Sequence, residues 1–381
     1  MMNLNTPYYI VYEDKLRHNL DIITDVANRA GVKIIMAFKA NALWKTFPIF
    51  REYGISSTAS SVNEMRLAND ELHCKAHTYC PAYTPDTMRA FLQGSSHITF
   101  NSVAQYERFK ATVDASPCHI SCGLRVNPMC SVIDTDIYNP SCPGSRFGVT
   151  ADQLDYMPKG IEGLHFHALC ESSSHDLEKV LVAVERQFGK FMPQLKWINM
   201  GGGHLMTRKG YDTDHLVGVL KAFKQRHPNL EVILEPGSAF CWQTGDLEAT
   251  VVDIVENSGI KTAIVDVSFA DHMPDCLEMP YMPAVRGAEV VPDGPHGDTL
   301  YIYRIGGNSC LSGDFKGSWR FDHELQVGEN IIFEDMMHYT TVKTNTFNGI
   351  SHPSIAMVKA GSHELEVLRS FSPVDYIERM D

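Results

Sequence analysis

Over the first 240 positions, short apolar runs alternate with amphipathic stretches. The runs lie at residues 32–41, 55–59, 77–80, 97–100, 119–126, 161–167, 196–200 and 230–234, and each is bounded by Gly, Pro or polar turn residues. Brief apolar runs between turn signals predict strands buried on both faces. The stretches between them carry helix start signals. Asp14 precedes a face of Leu16, Leu20, Ile23, Ala27 and Ala30, Ser61 is followed by Glu64, Thr84 by Pro85, and Ser102 by Gln105. Eight strand–helix steps in roughly 210 residues predict an α/β architecture, a TIM-like (β/α)8 barrel of parallel strands inside a ring of helices. Beyond residue 240 the texture changes. Runs at 246–255, 262–269, 299–305, 330–333 and 365–371 predict strands separated by Pro, Gly and Asp turns, with no strong helix signal. The expected organisation is a barrel domain over residues 13–240 and a C-terminal all-β domain, a sandwich or small barrel, over 241–381, joined by the first strand of the chain at 7–12.

Composition changes this picture little. A hydrophobic content of 44% suits a chain with a sizeable core, and a net charge of -13 disfavours nucleic acid and anionic membrane as partners. The ten Cys show neither a CxxC pair nor a regular framework, so free thiols in a reducing compartment are expected and no metal is. The N-terminus lacks a basic segment followed by an apolar core, and no apolar run approaches membrane-spanning length. These features predict a cytoplasmic protein. The loop at 127–148, rich in Pro, Ser and Cys, is long for a compact domain, which points to a functional or mobile segment.

The chemically informative residues fall where strands end. Lys39 closes the first run, Arg125 the fifth and His167 the sixth; Gly201, Gly202 and Gly203 follow the seventh, and Glu235 the eighth. A parallel barrel carries its site at that rim. Each residue has an ordinary reading when taken alone: a lysine snorkelling to solvent, a core histidine, a flexible glycine turn. Together they describe a different set. A partly desolvated lysine suits Schiff-base chemistry. A Gly-rich turn admits phosphate, a flat imidazole can lie against an aromatic ring, and a buried carboxylate needs a cationic partner such as a protonated ring nitrogen. That combination fits pyridoxal 5'-phosphate.

At these residues the sequence resembles the fold-type III pyridoxal phosphate decarboxylases, the alanine racemase-like barrel group that includes ornithine and diaminopimelate decarboxylases. AFKAN resembles the cofactor-lysine motif, GLHFHA the strand with the ring-stacking histidine, NMGGG the phosphate loop and EPG the segment with the ring-nitrogen carboxylate. The resemblance implies cofactor contacts from Lys39, His167, Gly201, Gly202, Gly203, Glu235 and Gly237. GGNSCLSGD resembles the segment that supplies Cys310, implied to return a proton to Cα, and Asp314, implied to face substrate. FEDMMHYT carries Tyr339, implied to touch phosphate. Lys39, His167, Glu235 and Cys310 are thus the expected catalytic residues. The family also implies a homodimer whose cysteine reaches the partner's site. The segment SFADHMPDCLEMPYMP is similar to that of one branch, the carboxynorspermidine/carboxyspermidine decarboxylases. The implied function is decarboxylation to norspermidine or spermidine in polyamine biosynthesis, with Glu235, Asp271, Asp275 and Asp314 toward substrate, Asp271 and Asp314 first among those for the distal amines. An acidic, solvated loop is the ordinary reading of each acid alone.

The family pattern is not complete. Ser238 replaces the arginine of EPGR, Cys170 the serine of HxGS, Thr58 an aspartate near the cofactor lysine, and Leu311 an acidic residue. These departures disfavour ornithine and diaminopimelate as substrates more than they disfavour the chemistry. Decarboxylation of another basic amino acid (diaminopimelate, ornithine or lysine) is the alternative. A non-catalytic polyamine-pathway regulator would lack the lysine or cysteine that this chain has.

Overall fold

A computed structural model describes residues 4–133, 139–279, 281–296 and 301–380. The chain divides into two units, Asn19–Phe240 and a second built from Met1–His18 with Cys241–Asp381. It enters through β1 (Tyr8–Tyr12) and α1 (Glu13–Ala30), which stops at Gly31 with φ +63°. Next come β2 (Lys33–Ile34), α2 (Phe47–Glu52), β3 (Thr58–Ala59), α3 (Val62–Asp70), β4 (Ala76–Tyr79), α4 (Pro85–Gly94), β5 (Ser95–Phe100) and α5 (Val103–Asp114). Then follow β6 (Ser121–Arg125), β7 (Ile161–His165), α6 (Ser174–Phe188), β8 (Trp197–Asn199), α7 (Thr213–Arg226), β9 (Glu231–Leu234) and α8 (Ser238–Cys241).

The strands from β2 to β9 pair in parallel in the order β2-β9-β8-β7-β6-β5-β4-β3. A bridge between Met36 and Ser57 joins the two ends. The Met36 N–H donates to the Ser56 carbonyl (2.8 Å) and the Thr58 N–H to that of Met36 (2.9 Å), so the sheet closes on itself. The barrel expected from the alternation is therefore present. α3 and α5 start where their caps predict, the Ser61 and Ser102 hydroxyls accepting the N–H groups of Glu64 and Gln105, both at 3.1 Å, whereas Asp14, expected as a cap, lies in the first turn of α1. The run at 32–41 yields a strand of only two residues, because the chain turns at Ala37–Ala40, where the Ala40 N–H donates back to Ala37 (3.0 Å).

Inside the barrel, Trp197 clusters with Ile35 and Ile233. A Cβ on Gly163 or Gly123 would lie 2.0 or 2.2 Å from the indole, and the indole Nε1–H donates to Ser121 Oγ (2.8 Å). One very large residue set against two without side chains fills the interior, which leaves the rim as the place for a site.

The second unit holds β10 (Gly245–Asn257), β11 (Ile260–Val265), α9 (Phe269–His272), α10 (Asp275–Glu278), β12 (Glu289–Val291), β13 (Ile302–Gly306), β14 (Phe315–Arg320), β15 (Asn330–Phe333), β16 (Ser354–Val358), β17 (Leu365–Arg369) and α11 (Pro373–Arg379). The order is β12-β14-β13-β11-β10-β1-β16-β17, with β15 also on β10 and most pairs antiparallel. β1 lies between β10 and β16, so the first strand of the chain is central to this sheet. Three outcomes differ from expectation. β12, β14 and β16 interrupt stretches read as turns. The run at 262–269 ends as a strand at Val265, and its last residue opens α9. The strand expected at 299–305 is seen from Ile302, and its first two residues lie outside the described residues. Among the described residues no helix is long and apolar enough to cross a membrane.

Candidate active site

The barrel rim brings together the residues that end successive strands. Lys39 stands in the turn after β2, open to solvent by area yet ringed by protein. Burial of its charge lowers its pKa, as does the positive charge of Arg125, against an opposing pull from Glu235. Glu235 follows β9. Its Oε1 accepts from Asn199 Nδ2 (2.5 Å), and its Oε2 lies 3.5 Å from His165 Nε2. Burial alone would lift this carboxyl, but the contacts from His165 and Asn199 and the charge of Lys39 hold it below the usual carboxylate range. His165 is itself held neutral, since burial lowers its pKa against the pull of Glu235.

His167 is held as a neutral ring, its pKa pushed well down by burial and then by the charges of Lys39 and Arg125. The Gly202 N–H donates to its Nδ1 (3.0 Å), which assigns the ring proton to Nε2. The Gly201 N–H donates to Asn199 Oδ1 (2.9 Å). Two of the three N–H groups of the glycine turn are therefore engaged within the protein, which narrows the expected phosphate nest. The three glycines are required for shape as well. A Cβ would meet the Phe166 carbonyl at 2.5 Å from Gly201, the Glu235 carbonyl at 2.6 Å from Gly202 and Leu169 backbone at 2.3 Å from Gly203. Gly237 is pressed in the same way against Ala40 (2.5 Å), and the Ala37 N–H donates to the Pro236 carbonyl (3.2 Å), so the Glu235 turn packs on the Lys39 turn.

Three residues of this rim, Arg125, His165 and Asn199, lie in or beside the motifs without a role that the sequence assigns. They are register partners on β6, β7 and β8, Arg125 opposite His165 and His165 opposite Asn199. Arg125 is buried between the rings of Tyr79 and Phe147, 4.5 Å from each centroid, and Tyr79 meets His165 edge-on. His204, after the glycine turn, is a further buried ring that was not anticipated, its pKa brought by burial to about 4.

In the sheet unit, Asp271 sits in α9 and is sealed from solvent under a thin layer of protein, with no hydrogen-bond partner of good geometry for either carboxylate oxygen. Burial and then the charge of Asp314 push its pKa up to about 6. Asp314 is buried as well and accepts the N–H groups of Ala270 and Ser309, both at 3.1 Å. Asp275 differs from these two, because Lys343 binds it at 2.5 Å and Glu278 at the same distance. Cys310 is exposed, its N–H donating to Asn348 Oδ1 (2.7 Å), and Asn348 holds φ +57°. Tyr339 is half-buried at φ +50° with its ring edge-on to His338.

The rim passes a chemical test for an aldehyde-bearing phosphorylated pyridine. It offers an amine with a lowered pKa, a neutral imidazole fixed in one tautomer and a buried carboxylate held in its ionised form. The comparisons with known proteins agree. The family described as pyridoxal-dependent decarboxylase, C-terminal sheet domain, matches residues 56–337. A Synechocystis protein named carboxyaminopropylagmatine decarboxylase is 47% identical, with 100% of this chain and 96% of that protein covered. A Campylobacter jejuni carboxynorspermidine/carboxyspermidine decarboxylase is 40% identical, with 98% of each covered. The crystal structure of carboxynorspermidine decarboxylase complexed with norspermidine, also from Campylobacter jejuni, superposes with a TM-score of 0.90 at 39% identity, over 99% of this chain and 100% of that one. The chain belongs to the pyridoxal-dependent decarboxylases and takes pyridoxal 5'-phosphate as its cofactor.

Proposed function

We propose that the protein decarboxylates a carboxylated polyamine of the carboxynorspermidine or carboxyspermidine kind, releasing norspermidine or spermidine. The observation that carries this substrate class is Asp271: a buried carboxyl with no well-formed hydrogen bond, only weak contacts from Ser268 and Phe347, beside a second buried acid is costly to ionise unless a cation comes to it. Asp271 and Asp314 are the residues for the distal ammonium groups. Asp275, already neutralised by Lys343, has a smaller part. Likeness over the full chain to decarboxylases of such substrates supports the same reading. A second reading is favoured by the Synechocystis relative at 47% identity: a substrate ending in the guanidino group of agmatine.

In this proposal Lys39 holds the cofactor through its unprotonated amine, and Gly203, Gly237 and Tyr339 attend the phosphate. Gly201 and Gly202 shape the turn beneath His167, whose flat neutral ring supports the cofactor's face. Bound there, pyridoxal phosphate supplies an electron-accepting ring for the pair left at Cα when CO2 departs. Glu235 keeps a proton on the ring nitrogen, and Cys310 returns a proton to Cα. An exposed thiol suits a residue that acts in a partner's site, so the proposed assembly is a homodimer, and the proposed location is the cytoplasm. Asn199 acts through Glu235. Asn199→Ala should lower kcat about ten- to hundredfold, the worth of a hydrogen bond to a charged group. It should also shift the acid limb of the kcat profile upward, and a mutant with an unmoved limb would free Glu235 from this control.

Steady-state assays on carboxynorspermidine, carboxyspermidine, carboxyaminopropylagmatine, ornithine, lysine and diaminopimelate test the proposal. Turnover confined to the last three would overturn it. The pH dependence gives a second check. Asp271 is ionised above about pH 6 and neutral below. An ammonium bound to it favours the ionised form, so binding releases a proton near that pH. KM should therefore rise about tenfold for each pH unit below 6. Asp271→Asn should have a high KM that is flat over this range; a wild-type slope retained in the mutant would assign the titration elsewhere.

A further inference from the structure

We propose that His175, Glu178 and His215 form a binding site for a divalent transition-metal ion of the zinc class, on the outside of the barrel and separate from the residues discussed above. One ligand atom from each lies within 4.8 Å of the other two. His175 and Glu178 are three residues apart on α6, so they share one helix face, and His215 meets them from the first turn of α7. The two imidazole rings are 3.9 Å apart by centroid and tilted by 32°.

His215 is oriented for ligation. Its Nδ1 is hydrogen-bonded to Oγ of the buried Ser174 (3.0 Å), which leaves Nε2 to face Glu178 Oε2 at 3.5 Å. Anchoring one ring nitrogen so that the other points at the metal is the usual support for a ligating histidine. Two imidazoles and one carboxylate suit zinc and its neighbours, whereas calcium and magnesium take oxygen sets. Tetrahedral coordination at metal–ligand distances of about 2.0–2.1 Å needs donors roughly 3.3 Å apart. His175 and Glu178 are exposed, so small rotations of their side chains close the difference. Three protein ligands leave a fourth position for water.

The location gives the ion a consequence. α6 and α7, beginning at Ser174 and Thr213, are the next helices after the segments that carry His167 and Gly201–Gly203, and those segments are tied by a Ser172 N–H bond to the Gly203 carbonyl (2.8 Å). An ion shared by the N-terminal halves of both helices would staple the two segments from outside. Helix N-termini disfavour cations, but Asp176, Asp212 and Asp214 lie in or cap these first turns and offset that field. The pattern escapes a sequence scan for metal spacing because the third ligand comes from the next helix.

The test uses the holoenzyme, stripped with a chelator and titrated with Zn2+ by calorimetry, against His215→Ala and, as a variant with an exposed side chain, Glu178→Gln. The wild type should bind one more equivalent than His215→Ala, with Glu178→Gln weakened at least tenfold. Zn2+ in hundredfold excess over Kd should raise the wild-type Tm by a few degrees and leave that of His215→Ala unmoved. Equal stoichiometry and affinity in all three proteins would mean that zinc sits on thiols such as Cys118 or Cys310 or on nothing specific, and would overturn the site. If His215→Ala fails to fold, His175→Ala takes its place under the same criteria.

Discussion

Lys39→Ala is expected to leave a folded protein that has lost decarboxylation by at least about 10⁴-fold in kcat/KM, the scale set by removing a residue on which a whole catalytic unit depends. The ammonium is disfavoured where Lys39 stands, by burial and by Arg125. Alanine relieves both effects, so the Tm of the cofactor-free protein should hold or rise while chemistry disappears. The near-visible absorbance of the wild type, with its response to borohydride, should vanish with the lysine. Lys39→Arg separates charge from bond formation: a guanidinium keeps the charge but offers no free amine. Arginine should therefore be as inactive as alanine, and substantial turnover by either variant would remove Lys39 from the reaction.

How far the chain could be read follows from what periodicity encodes. Turn residues and caps such as Ser61, Thr84 and Ser102 mark where helices begin, and eight apolar runs between them mark a barrel. The rim residues were legible where the residue type is unusual at a strand end, as with Lys39, Glu235 and the glycines. Asn199 and His165 were not, because their meaning lies in register. Parallel pairing sets Arg125, His165 and Asn199 side by side, and no local pattern states that alignment. The short β2 was hidden for a related reason: Phe38 and Ala40 are apolar, and only the Ala40–Ala37 turn bond shows that the chain has left the sheet. In the second unit β14 reads FKGSWR, with Lys, Gly and Ser masking the alternation, so its strand depends on pairing with β12 and β13. The sequence marks Asp271 only by its charge within a similar motif. Its sealed environment, the reason it matters energetically, required the fold.

Cys310→Ala should reduce product formation by about 10²–10⁴-fold, the range for losing a positioned proton donor, while cofactor absorbance stays intact. The side chain is exposed and its loop is held through Asn348, so truncation removes a thiol without opening a cavity. The assignment to a partner's site has a sharper consequence. Lys39→Ala and Cys310→Ala subunits, each nearly inactive, can be mixed and allowed to exchange. In a hybrid dimer with sites shared across subunits, one site takes both defects and the other takes neither. Random mixing makes half of the dimers hybrids, so activity should recover to about a quarter of the wild-type level. If Cys310 served the Lys39 of its own chain, every site in the hybrid would carry one defect and nothing would be recovered. Recovery scaling with the hybrid fraction would establish the homodimer and the origin of the proton donor together, and flat inactivity at confirmed subunit exchange would exclude the shared site.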